Sequence, residues 1–162
     1  MDSLKNSLKE YYDIYDDFEI NGYNFPLYAK SLVRNERYIA TRKLVIDAYE
    51  NHQHMFIQFK NQNVEKNDIE NFINFLLSTI NQLVNPNEYH MSTIINGIFI
   101  TNRIFTSDAI NLGKKFKYRK TFSFGFKGWC DIGIILVELE NKKIYTNKLG
   151  NNTKSLYQSI MK

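Results

Sequence analysis

The sequence predicts an α+β protein built on a mixed β-sheet, and three features of its patterning carry that prediction. Apolar residues recur at helical spacing from Ile69 to Leu83, Asn21-Gly22 separates two short apolar and aromatic runs, and Gly97-Ile-Phe-Ile is continuously apolar. The first is the stripe of an amphipathic helix, the second a tight hairpin turn, and the third a strand covered on both faces.

The elements follow in order. Leu4, Leu8, Tyr11, Tyr12 and Tyr15 share one helical stripe behind Ser3, a suitable N-cap, so a first helix is expected over residues 3–15. The hairpin turn at Asn21-Gly22 opens a meander, with strands expected at 25–34, 38–49 and 54–60 and connections at Asn35-Glu36-Arg37 and 50–53. Asn67 or Asp68 caps a helix that Asn85-Pro86 ends near Val84. A buried strand follows at 92–101, and Thr106 or Ser107 caps a short helix to about Lys115. Residues 118–126 alternate aromatic and polar side chains, 130–139 are apolar and 144–147 follow a polar turn, so three further strands are expected. The last dozen residues suit a loose terminal helix. The core is thus helix, antiparallel three-strand meander, helix and strand over about 1–115, followed by a short helix and a strand-rich C-terminal extension over about 116–150.

A chain of 162 residues with 43% hydrophobic content buries one core, and no linker or repeat divides it, so 1–162 reads as a single domain. No apolar run approaches the roughly 20 residues that span a bilayer. Residues 1–10 lack the apolar centre of a signal peptide, and the lone Cys130 cannot form an internal disulfide; a cytoplasmic location without membrane association is expected. Cys130, beside Trp129 at the start of an apolar run, reads as a packed core thiol.

The net charge of +4 permits a polyanionic partner. Lys114, Lys115, Lys117, Arg119 and Lys120 are interleaved with Phe116 and Tyr118, which suits phosphate neutralisation and base stacking in a nucleic-acid complex. The same cations also suit the solvated C-terminal end of a helix. Glycine-rich phosphate loops, serine-hydrolase elbows and zinc motifs are absent from the sequence. His52, His54 and His90 offer a set of imidazoles for a transition metal, whereas Asp131 falls on the opposite strand face from Glu138. Gly125 and Gly128 mark a bulge or bend that lets Trp129 pack.

On the third expected strand of the meander, Gln58 and Lys60 are two apart and project to one face, and Asp47 stands on the preceding strand segment Val45-Ile46-Asp47. Gln58-x-Lys60, in the order helix, meander, helix, strand, resembles the QxK variant of the Mrr-like branch of the PD-(D/E)XK, or restriction-endonuclease-like, superfamily. Residues 95–109 look like the strand and helix that follow the active site there, and the likeness covers about 44–113. It implies a nuclease-like domain that binds nucleic acid and hydrolyses phosphodiesters with Mg²⁺. Asp47 would be the metal ligand, Gln58 a polar site residue, Lys60 the catalytic cation and Glu10 an additional acid. The sequence departs from the pattern at Ile46, where the motif has proline, at Gln58, where it has an acid, and in lacking a glycine before Asp47. The segment from Phe124 to Trp129 also resembles one in a group of small bacterial proteins, a likeness that implies no activity. The competing reading is a non-enzymatic interaction module, binding protein or nucleic acid through the aromatic and basic residues between Phe116 and Trp129; an exposed row of rings would favour it.

Overall fold

Asn21 and Gly22 take φ angles of 53° and 74°, the left-handed pair that turns strand β1 (Asp13–Ile20) back as β2 (Tyr23–Tyr38). The computed structural model describes residues 2–38 and 45–153. Helix α1 (Asp2–Leu8) precedes β1, and β2 pairs antiparallel with β3 (Val45–Lys60), completing the meander. Helix α2 (Lys66–Leu83) crosses over to β4 (His90–Thr101), which lies parallel to β3. Helix α3 (Ser107–Lys115) and the short β5 (Arg119–Thr121) lead to β6 (Trp129–Glu138), parallel to β4. β5 and β7 (Lys143–Thr146) both pair antiparallel with β6, giving the order β1-β2-β3-β4-β6-β5 with β7 also on β6. The α+β class with a mixed sheet is therefore observed, with seven strands among the described residues.

The sheet is buried on both faces because its central strands carry apolar residues at both parities. Phe56, Ile95, Phe99, Ile132, Ile134 and Leu136 face α2 and α3, meeting Ile69, Phe72, Ile73 and Leu76. Met55, Ile57, Ile98, Ile100, Ile135 and Val137 face the other way and pack with Leu4 and Leu8 of α1. Gly97 allows the close approach of α2 to β4, since a side chain there would run into Leu76 and Phe72. Asn147 fastens the C-terminal strands: its Oδ1 accepts from Ile134 N–H (3.0 Å) and Gly150 N–H (2.8 Å), and its Nδ2 donates to Phe116 and Ile132 carbonyls.

Several expected boundaries move. The first helix ends at Leu8, and residues 13–15 join β1, because Asp13, Ile14 and Tyr15 pair with Lys30, Ala29 and Tyr28. The expected breaks at 35–37 and 50–53 lie inside β2 and β3, where each residue has a cross-strand partner, so two long strands replace three shorter ones. The cap of α2 is Glu65, in a reciprocal capping box with Asp68, rather than Asn67 or Asp68. Thr106 caps α3 as expected, its Oγ1 accepting from Ala109 N–H at 3.4 Å. The strand expected over 118–126 is only three residues long, and 123–125 form a turn. The expected terminal helix falls largely outside the described residues. No helix among the described residues is long and apolar enough to cross a membrane.

Candidate functional site

Gln58 and Lys60 do share one face of β3, and both line a cleft of about 230 Å³ between the end of that strand and the start of α2. Lys60 Nζ donates to Asp68 Oδ1 (2.7 Å) and Oδ2 (2.8 Å), and Asp68 Oδ2 also accepts the Glu65 N–H at 2.8 Å. Asp68 therefore occupies the place beside the lysine that the sequence reading gave to Asp47. It was missed because its role is set by α2 folding back over β3, although the spacing Glu65-x-x-Asp68 was a visible capping signal.

Asp47 is not brought to this cleft. It lies on the same continuous strand as Lys60, 13 residues earlier, with its backbone opposite Arg37. At the rise of an extended strand this separates them by on the order of 40 Å. The side chain of Asp47 lies outside the described residues. Glu10 is not on the first helix but in the turn after it, and it lines a different cleft with Lys30 and Val33. The convergent set of Asp47, Gln58, Lys60 and Glu10 is thus not assembled. The physical reason is that polar residues 50–53 continue the β3 ladder rather than turning the chain.

The donor set at Lys60 does not fit Mg²⁺. Among the described residues the cleft lining holds one carboxylate, Asp68, which is engaged on both oxygens, and the other side-chain oxygens are the neutral amides of Asn24, Gln58 and Asn71 and the Tyr23 hydroxyl. Among the described residues no three His, Cys, Asp or Glu side chains gather to hold a metal.

The basic and aromatic residues are arranged differently. Lys114 and Lys115 close α3, where its dipole favours cations, and Lys117, Arg119 and Lys120 are exposed along β5 and its approach. Arg119 is not free: Nε and Nη2 make a bidentate pair with buried Asp131 at 2.7 and 2.6 Å, and its guanidinium lies 5.5 Å from the Trp129 ring centre. Between β5 and β6 the chain forms a tight tip. Ser123, Phe124 and Gly125 all take positive φ (49°, 56° and 96°), a conformation that strains a bulky side chain such as Phe124. The tip is nonetheless closed by hydrogen bonds, including Phe122 N–H to Gly128 O (2.9 Å) and Phe126 N–H to Ser123 O (3.0 Å). His90 Nδ1 lies 2.6 Å from the Lys127 carbonyl and ties the tip to β4. On this braced turn Phe124 is fully exposed and Phe126 is 88% exposed. Between Asp108 and Asp131 the sequence has six cations, with Lys127 added to the five already noted, and no acid.

A family model described as a domain of unknown function, DUF8052, matches residues 1–159. The chain belongs to the DUF8052 family. No curated protein and no solved structure matches it.

In this DUF8052 chain two of the histidines, His54 and His90, are tied into the fold. His54 is buried, with Nδ1 2.6 Å from Tyr28 Oη, and burial, with the charges of His52 and Lys30, pushes its pKa down to about 4. His90 Nε2 lies 2.9 Å from Thr93 Oγ1. Cys130 is fully buried, and burial pushes its thiol up to about 12, the condition of an inert core cysteine. Asp131 and Glu138 point apart: Asp131 holds Arg119, and Glu138 accepts the Phe105 N–H at 3.0 Å. The sequence marks the aromatic and basic residues between Phe116 and Trp129 as a binding face but places Phe124 and Phe126 on or beside a strand, whereas the structure exposes them on a turn. The visible signal was the run of 22 residues without an acid, with glycines on both sides of Phe126 and Lys127.

Proposed function

We propose that the protein is a cytoplasmic binding module that holds single-stranded nucleic acid against the hairpin between β5 and β6. The observation that carries this reading is the exposed pair Phe124 and Phe126 on a hydrogen-bonded turn inside a six-cation, acid-free segment. Exposed rings cost solubility unless a partner covers them, and unstacked bases cover rings well; Lys114, Lys115, Lys117, Lys120 and Lys127 supply cations for the phosphates. A duplex keeps its bases stacked on one another, so the single strand is the better fit. The same segment lines a cleft of about 430 Å³ with Asp131 and Asn147, which extends the surface beside the tip. Metal-dependent cleavage, implied by the likeness to the Mrr-like branch, has less support because Asp47 stands far from Lys60 along β3.

The test is fluorescence anisotropy with labelled single-stranded DNA and RNA, their duplexes, and anionic lipid vesicles. Single strands should bind, with log K falling against log salt at about −0.7 per phosphate contacted, and Phe124→Ser with Phe126→Ser should weaken binding roughly tenfold or more. Failure of the wild type to bind single strands, or equal binding by the double variant, refutes the reading. Vesicle binding in its place would make the rings a membrane-surface anchor. Adding Mg²⁺ to the same probes tests for cleavage.

A further inference from the structure

The cleft beside Lys60 has no part in that reading. Because β3, β4 and β6 run parallel, the hairpin tip lies where β4 and β6 begin, and Gln58 and Phe99 lie where β3 and β4 approach their ends. From Ser92 to Phe99 along β4 is roughly 25 Å.

Beneath the cleft Phe25, Phe72 and Phe75 are buried, and the half-exposed Tyr23 ring stands 4.8 Å from that of Phe75. Around it are the side-chain amides of Asn24, Gln58 and Asn71, none of which makes a hydrogen bond to another described residue. The Lys60–Asp68 pair neutralises itself, so the cleft has no net charge with which to select an ion. A ring-lined floor beneath unpaired groups that both donate and accept suits a flat heteroaromatic ring with donors and acceptors on its edge. The volume of about 230 Å³ limits the occupant to one ring system. A carboxamide presents N–H and C=O side by side, which matches the adjacent donor and acceptor on the edge of adenine.

We propose that this cleft binds a single purine base, free or as a nucleoside, with its ring against Tyr23 and Phe72 and its edge read by Gln58 and Asn71. The site does not depend on the hairpin. The experiment titrates adenosine into the full chain by calorimetry, with indole as a ring that lacks the matching edge. Adenosine should saturate one site, Gln58→Leu and Asn71→Leu should each weaken it about tenfold, and Phe124→Ser with Phe126→Ser should leave it unchanged. Absence of saturation by adenosine overturns the proposal, as does unchanged affinity in both leucine variants or equal binding of indole. Should Gln58→Leu fail to fold, Asn71→Leu, at an exposed position of α2, carries the test alone.

Discussion

Lys60 Nζ sits within 2.8 Å of both carboxylate oxygens of Asp68, and that carboxylate also closes the first turn of α2 through the Glu65 N–H. One acid thus joins the end of β3 to the start of α2. Asp68→Ala removes the cap and leaves the lysine unpaired, and is expected to cost about 1–2 kcal/mol in urea denaturation. Lys60→Met removes only a partly exposed ion pair and should cost under about 1 kcal/mol. Equal losses would show that the pair, rather than the cap, carries the stability.

His54 makes stability depend on pH. Its folded pKa of about 4 lies below the ordinary histidine value of 6.5, so the unfolded chain binds more protons between them. The contribution is fully present above about pH 6.5, is lost as pH falls toward 4, and amounts to at most about 3 kcal/mol. Urea midpoints at pH 7.5 and 4.5 should differ less in His54→Leu than in the wild type.

Arg119 is a structural member of the basic segment. Asp131 is only 4% exposed, so Arg119→Ala leaves a buried carboxylate without its bidentate partner, and because Arg119 itself is solvent-screened the loss should be about 1–2 kcal/mol. Lys117→Ala and Lys120→Ala should change stability by less than about 0.5 kcal/mol while weakening nucleic-acid binding. Thermal melts together with anisotropy separate the two effects.

Phe124 holds a left-handed backbone that glycine adopts freely. Phe124→Gly should therefore raise stability by up to about 1 kcal/mol, by relieving the φ of 56°, and lower affinity for single strands. A variant that is less stable would mean that the ring packs rather than presents itself. Gly128→Ala acts in the opposite direction, because a side chain there meets the His90 and Met91 carbonyls; its melting temperature should fall.

Much of the fold was legible in the sequence. The stripe from Ile69 to Leu83 became α2, Thr106 capped α3, Asn21-Gly22 made the hairpin, and the apolar run at Gly97 became a strand buried between two neighbours. The proposed site was legible only in pieces. Gln58 and Lys60 were rightly placed on one strand face, but the acid beside them was assigned to Asp47 instead of Asp68. Phe124 and Phe126 were read as part of a strand rather than as the exposed tip of a turn.

By itself the sequence determined what depends on near neighbours: helical periodicity, capping residues, positive-φ turn positions and the density of cations without acids between Asp108 and Asp131. Tertiary structure decided the rest. Residues 13–15 became strand because β2 supplied backbone partners, and 50–53 continued β3 because β2 and β4 flanked it on either side. Backbone N–H and C=O groups must be paired wherever they are buried, and those partners come from residues distant in the chain. The meeting of Lys60 with Asp68, and the separation of Lys60 from Asp47, follow from that pairing.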